Sequence, residues 1–500
     1  MRPLSVFFAR LNQYFGKFWR SPNPNPQRIS RYGLVAIALA SLIVLSQGWP
    51  APAQQPIRIQ GEVVDTLTDL GGAEMLTVSR DGQFTVVAGA DVVTVVQIGD
   101  RTLDLINSFE LTPDLLPEGS TSAEFTGLAI SPDGSYVLVA VRDNDEANSA
   151  TFDEVPGKVI AFSVPDLEVL GQTAVGRGPD SVAIAPNGLF AAVANEDEEN
   201  EEDLTNLENR PGTVSIIDLR RGPSRLSQFE LPLPQENIPF FPHDPQPETV
   251  RIAADSSFIL VTLQENNAVA RIDVPRRLPF RMRARNFQVQ NFDMGIRTGF
   301  GLTRDRVGEG LCRSSSYDLS QRQSYTSARE PDGLAISPDL SFFVTADEDN
   351  LTAVNEQSYN SVLLSPHGTR SISAYDATTG ALLSDSGDTI EDSILALGLP
   401  QRCNSKGPEP EVVSIAEIEG RTLAAVAIER SDAITIHDVT DPSNITLLDT
   451  VILDDTVVRA DIAAELEPEG IEFVPGGNKI VVSNPENSTI TLVNLVRLDR

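Results

Sequence analysis

The stretch Glu248-Thr-Val-Arg-Ile-Ala253, a turn, Phe258-Ile-Leu-Val-Thr-Leu263, the polar loop Gln264-Glu-Asn-Asn267 and Ala268-Val-Ala-Arg-Ile-Asp273 decides the fold. Each apolar segment is rich in Val, Ile, Leu and Thr and is bounded by polar turn residues, so it reads as a short strand in an antiparallel meander. The same unit recurs along the chain. Its opening strand aligns as Glu74-Met-Leu-Thr-Val-Ser79, Thr126-Gly-Leu-Ala-Ile-Ser131, Asp180-Ser-Val-Ala-Ile-Ala185, the Glu248 strand, Asp332-Gly-Leu-Ala-Ile-Ser337, Glu411-Val-Val-Ser-Ile-Ala416 and Glu469-Gly-Ile-Glu-Phe-Val474. Turns such as Ser131-Pro-Asp-Gly134, Ala185-Pro-Asn-Gly188 and Val474-Pro-Gly-Gly477 follow, with Pro presetting φ and Gly supplying the left-handed position of a tight hairpin.

Seven four-stranded units in a row predict an all-β, seven-bladed propeller, because a lone four-stranded sheet leaves both faces bare and needs neighbours to cover them. The predicted blades start near residues 74, 126, 180, 248, 332, 411 and 469 within a domain spanning 54–500. The seventh unit ends at Thr489-Ile-Thr-Leu-Val-Asn-Leu495, with no room for a fourth strand, and Ile57-Arg-Ile-Gln-Gly-Glu-Val-Val64 precedes the first unit without a partner. The expectation is that this N-terminal strand completes the last blade and removes the exposed edge. Residues 275–329 read as an Arg-rich insertion between blades 4 and 5, with nine arginines from Arg276 to Arg313 and Phe280, Phe287, Phe292 and Phe300 among them.

Residues 1–53 differ from everything after them. Arg2, Arg10, Lys17, Arg20, Arg28 and Arg31 precede any acid, the thirteen residues from Gly33 to Leu45 are apolar, and Ala51-Pro-Ala53 offers a cleavage site. This is the pattern of a signal peptide with a long basic leader; an uncleaved signal anchor is the alternative, and both predict export to the periplasm or beyond. Losing those six basic residues takes the formal charge from −33 to −39. Such a charge repels nucleic acid and anionic membrane, so membrane contact is expected only through an uncleaved anchor, and divalent cations are the natural counter-charge. Cys312 and Cys403 fit an oxidising compartment as a candidate disulfide or as two separate thiols.

Propeller geometry puts the loop entering each first strand and the loop between the second and third strands on one face. That gathers Glu74, Asp180, Glu248, Asp332, Glu411 and Glu469 around one channel mouth, joined by the acidic loops that contain Glu196 and Asp347. Hard carboxylate oxygens in such numbers suit Ca²⁺, and no organic cofactor is expected. The competing reading has the acids capping strands and facing solvent. Arg177, Arg329 and Arg430 lie near the mouth, either as anion-binding residues or as partners for the acids. His243, His367 and His437 have no ligand spacing and are expected in loops or at strand ends; no nucleophile elbow or phosphate loop is present.

The strings Val193-Ala-Asn-Glu196, Gly212-Thr-Val-Ser-Ile-Ile-Asp218, Val261-Thr-Leu-Gln-Glu-Asn-Asn-Ala268, Lys406-Gly-Pro-Glu-Pro-Glu411, Glu419-Gly-Arg-Thr-Leu423, Ile428-Glu-Arg430 and His437-Asp-Val-Thr-Asp-Pro442 resemble the choice-of-anchor I domain family, a propeller akin to YVTN-type repeats. The resemblance implies a secreted or surface-attached bacterial protein. Its members often sit beside phosphatase or nucleotidase domains, and it brings no established catalytic residues. The chain departs from the pattern where Thr249 and Val412 replace the usual Gly after the acid. Two functions follow as expectations: a binding or scaffold propeller stabilised by Ca²⁺, whose acidic face engages an unidentified protein or small ligand, or a Ca²⁺-dependent phosphoesterase of phytase-like type on the same face. A lactonase-type hydrolase rests on fold analogy alone.

Overall fold

Apolar runs that are buried on both sides need a neighbour on each face, and the second strand of every blade shows how this is met. Phe258–Leu263, Phe190–Asn195 and Phe342–Asp347 are buried along their whole length. Outer strands face solvent on one side, as Leu103–Glu110 does, alternating from Ile106 to Glu110 beyond a bulge. The computed structural model describes residues 58–144, 155–197, 210–302, 319–348, 358–365, 368–402, 407–454 and 466–498. The leader 1–53 and both Cys312 and Cys403 lie outside them, as does His367. All described residues belong to one unit, Arg58–Arg500.

Seven antiparallel four-stranded sheets form the blades. Their inner strands are Met75–Val78, Ala123–Ile130, Pro179–Ile184, Pro247–Ile252, Pro331–Ile336, Pro410–Ile418 and Gly470–Phe473. Each inner strand packs on the next, and Met75–Val78 meets Gly470–Phe473, so the ring is closed. As the sequence predicts, the N-terminal strand, Arg58–Leu67, is the outermost strand of blade 7. It pairs antiparallel with Thr489–Leu498 from Arg58 opposite Leu498 to Leu67 opposite Ile490, with a shift between Val63 and Asp65.

The hairpin turns are built as the Ser-Pro-Asp-Gly string requires. Asp133 Oδ1 accepts from Ser131 Oγ (2.7 Å) and the Ser135 N–H (3.1 Å), and Gly134 adopts φ +72°.

The Arg-rich stretch is not one insertion. Gln288–Asp293 is the outer strand of blade 4, so the excursion proper is a hairpin of Ile296–Leu302 with Arg322–Ala328. It lies against a helix that the repeat pattern did not predict, α1 (Thr389–Leu397), between blades 5 and 6. Arg370 Nη1 reaches Glu391 at 2.8 Å, Arg322 Nη2 reaches Asp392 at 2.6 Å, and Arg297 pairs with Asp388. Leu302 is fastened at both backbone groups, donating to Glu391 Oε1 (3.0 Å) and accepting from Arg370 Nη2 (3.0 Å).

Candidate functional site

Four inner strands begin with Pro and an acid: Pro179-Asp180, Pro247-Glu248, Pro331-Asp332 and Pro410-Glu411. In each, the Pro is in register with the second strand and pairing resumes only three residues on. Pro removes a ladder donor, and the break frees the acid from strict alternation at the channel mouth. The residue after the acid lies where neighbouring blades nearly touch. A Cβ on Gly333 would come 2.5 Å from the Glu411 carbonyl oxygen, and one on Gly127 would come 2.2 Å from that of Asp180. Inner strands therefore converge tightly and bring carboxylates from different blades together.

The convergence is uneven around the ring and strongest at blades 5 and 6. Asp332, Glu348 and Glu411 each present a ligand oxygen, all within 4.8 Å of one another, and Glu348, Glu409 and Glu429 form a second such trio sharing Glu348. The Asp332 and Glu411 carboxyls face each other across the two blades, each offering an oxygen within that distance. Burial pushes both well above the usual carboxylate range, with Glu248 adding repulsion at Asp332 and Asp332 adding it at Glu411. The Glu411 and Glu248 Oε2 atoms are buried without a hydrogen-bond partner. Glu248 is raised by burial and then by Glu196 and Glu265.

The other acids of the mouth form a second neighbourhood. Burial, then Glu469, raises Glu74 to about 8; burial raises Glu469 to about 7 against Arg430. Burial also raises Asp180, with Arg142 opposing. Blade 2, whose aligned position is Thr126, supplies its acid two residues earlier: Glu124 accepts from Arg142 Nε and Asn144 Nδ2, both at 2.6 Å. Deeper in the channel, Glu472 accepts the Val78 N–H at 2.7 Å and is raised to about 7 by burial; Arg251, held below its ordinary value by burial, lies within its field and that of Asp332.

Of the eight acids expected to hold a cation, Asp332 and Glu411 share a trio, and Glu248 and Glu196 flank it. Glu74, Asp180 and Glu469 gather across the mouth. Asp347 does not face the cluster: fully buried, it accepts from Thr345 Oγ1 (2.7 Å) and Ser371 Oγ (3.0 Å) and faces Arg329 at 3.5 Å. The arginines read as anion-binding are committed to acids. Arg329 is 2% exposed and bonds Ser373 Oγ (2.6 Å) and Asp385 (3.0 Å). Arg430 pairs with Glu409 (3.1 Å), Glu429 (2.6 Å) and Glu467. Arg177, more exposed, faces Asp197 at 3.8 Å. His437, expected in a loop or at a strand end, is the buried next-to-last residue of the strand Ala433–Asp438, beside Thr435 Oγ1 at 2.9 Å, and burial lowers it to about 3.

Glu348, Glu409 and Glu429 were not singled out from the sequence as ligands, although Glu409 stands two residues before Glu411 in the Gly-Pro-Glu-Pro-Glu string and the other two lie in acidic loops. Some loop acids and amides have a structural task instead. Asp432 and Asn267, both at positive φ, each accept two backbone N–H groups from the start of the next blade: Leu466 and Glu467 for Asp432, Arg329 and Glu330 for Asn267. A cleft of about 600 Å³ between blades 6 and 7, lined by residues 414–419 and 472–478, opens at the opposite end of those strands from the trios.

The family model of the Choice-of-anchor I domain matches residues 74–278 and 349–442. No curated protein matches the chain in sequence. Among solved structures, the β-propeller domain of Cps50 (Swd1) from Myceliophthora thermophila is similar at 12% identity and a TM-score of 0.51, covering 87% of this chain and all of that one (100%). Hydrazine synthase from Kuenenia stuttgartiensis aligns over 86% of this chain and 97% of its own, at 14% identity and a TM-score of 0.46. At these identities the Cps50 likeness speaks for the propeller fold alone.

Proposed function

Because the chain belongs to the choice-of-anchor I domain family, whose members are extracellular or cell-surface proteins, we propose that it is an exported binding propeller whose acidic channel mouth is neutralised by Ca²⁺ and engages a protein or small ligand. The observation that carries this reading is the trio of Asp332, Glu348 and Glu411. The influences that raise Asp332 and Glu411 are burial and other carboxylates, so a bound cation would relieve a repulsion that Arg251, in the field of Asp332, leaves standing. Carboxylates from two blades with an unpartnered Oε2 suit the flexible oxygen coordination of Ca²⁺. The second trio already has Arg430 against two of its members, and Gln264 Nε2 donates to the shared Glu348 at 2.7 Å.

Thermal unfolding in Ca²⁺ and in EDTA tests the reading. A ligand of the native state at a hundredfold excess over its Kd adds about 2.7 kcal/mol, a rise of several degrees. Equal melting temperatures in the two conditions overturn it. A phosphoesterase needs an arginine free to orient phosphate, and Arg329 and Arg430 are both held by carboxylates, so the binding reading stands ahead of catalysis. Turnover of a phosphomonoester that requires Ca²⁺ and disappears in Glu411→Gln would reverse that order.

A further inference from the structure

At the end of the blades remote from the carboxylates, the third and fourth strands are joined by residues 219–226 in blade 3 and 274–287 in blade 4. The two loops are tied together. Arg220 Nη1 donates to the Pro279 carbonyl at 2.9 Å and Nη2 to that of Phe280 at 3.2 Å, while the same guanidinium is held by Asp218. Phe280 is 85% exposed at the tip. Around it Arg276, Arg277, Arg281, Arg283 and Arg285 are exposed, and Arg221 and Arg225 add to them from the blade 3 loop. Among the described residues none of these seven forms an ion pair, Arg221 lying only in the field of Asp218, whereas the strand-end acids are taken: Asp218 by Arg220 at 2.5 Å and Asp273 by Arg271 at 2.9 Å. Leu278, Met282 and Ala284 pack against the core of blades 3 and 4 and hold the loop base in place.

We propose that this pair of loops is a membrane-docking surface, with the arginines on anionic phospholipid headgroups and the Phe280 ring inserted at the acyl boundary. Overall charge does not forbid it. The strand Ala268–Asp273 separates the acidic mouth from the loop, about 20 Å at roughly 3.3 Å per residue, and charges are screened over about 8–10 Å at physiological ionic strength. The anionic-membrane repulsion expected from net charge therefore applies to the mouth and not to this end. Two features favour a bilayer over a soluble polyanion. A large aromatic ring left in water at a basic tip gains free energy only where it is buried, and the interface buries it. A tip entering that boundary must also have its carbonyls satisfied from within, and Arg220 does this for Pro279 and Phe280.

The test is hydrogen exchange on the full chain, mixed with phosphatidylcholine vesicles with or without phosphatidylglycerol, or with inorganic polyphosphate. The proposal expects residues 276–287 to be protected by the anionic vesicles and released by high salt. Phe280→Ala should lower vesicle affinity by about tenfold and leave polyphosphate binding unchanged. Arg276→Glu with Arg277→Glu should lower both by more than about a hundredfold. Both changes are at exposed positions, and an unchanged melting temperature confirms folding. Sedimentation with vesicles without protection at 276–287 assigns membrane contact to another segment and overturns the proposal. Equal protection by polyphosphate, with no effect of Phe280→Ala, makes this a polyanion site and overturns the lipid. Protection that grows with protein concentration alone assigns the loop to a second copy of the chain and overturns it as well.

Discussion

Asp347 and Glu348 are adjacent in sequence with opposite surroundings, because side chains alternate across a strand: Asp347 turns into the blade toward Ser371 and Arg329, and Glu348 turns toward Asp332 and Glu411. Asp332→Asn should therefore behave in two ways. In EDTA it removes a charge from a crowded pair and raises the melting temperature by a degree or more; in Ca²⁺ it abolishes the metal-dependent rise. Differential scanning calorimetry of the variant in both buffers checks this, and a retained Ca²⁺ response would contradict it. The pH dependence carries a definite sign. Glu74, at about 8, and Glu469 and Glu472, at about 7, bind their protons more tightly folded than unfolded, where the value is 4.5. Their stabilising contribution is complete below 4.5 and is lost as pH rises through 7 to 8. His437 acts oppositely: its folded value of about 3 lies below the unfolded 6.5, so its contribution is complete above 6.5 and lost as pH falls toward 3. Urea midpoints in EDTA should fall from pH 6 to pH 8, and Glu472→Gln, which keeps an acceptor for the Val78 N–H, should flatten that fall. The acids were legible as a ring because Pro-acid-apolar openings recur in register. Which of them meet was not, since that depends on how closely neighbouring inner strands approach and on loop residues such as Glu409, at φ +57°, that follow no repeat.

The blades were legible at the level of elements because each apolar run is bounded by a turn whose chemistry is local. The closing strand was legible for a different reason, arithmetic: a seventh unit lacking a strand and a strand lacking a unit. The hairpin of Ile296–Leu302 with Arg322–Ala328 and helix α1 were not, because both depend on ion pairs across sequence separations that no periodicity records, such as Arg370 with Glu391 and Arg322 with Asp392. The closing strand also has a steric requirement of its own. A Cβ at Gly61 would lie 2.2 Å from Val451 Cγ2 on the outer strand of blade 6, and the Gly61 N–H donates to Asp449 at 2.8 Å. Gly61→Val should thus cost about 1–3 kcal/mol by overpacking. Chemical denaturation should show that loss with the Ca²⁺ response intact, since Gly61 packs on the outer strand of blade 6 whereas the trios gather at the inner strands. Loss of the Ca²⁺ response in this variant would mean that the mouth and the closing blade are coupled.

At the scale of the whole molecule, the ring makes charge polar along the channel axis: buried carboxylates converge at one end, and exposed arginines surround Phe280 at the other. A formal charge of −33 conceals this, because a sum has no direction. Salt exposes it through two effects of opposite sign. In EDTA the acids at the mouth repel one another, so raising NaCl from about 0.05 to about 0.5 M shortens the Debye length from about 14 to about 4 Å and should raise the melting temperature. Ca²⁺ should remove most of that response, because the repulsion that salt would screen has already been neutralised. Over the same range, binding to phosphatidylglycerol vesicles should weaken steeply, since the arginines act on headgroups through the electrostatic attraction that salt suppresses. Melting curves and vesicle sedimentation across one NaCl series measure both. If the acidic mouth and the basic loops are independent, Asp332→Asn should blunt only the melting response and Arg276→Glu only the vesicle response. A single substitution that altered both would mean that the field of one end reaches the other despite the intervening length of strand.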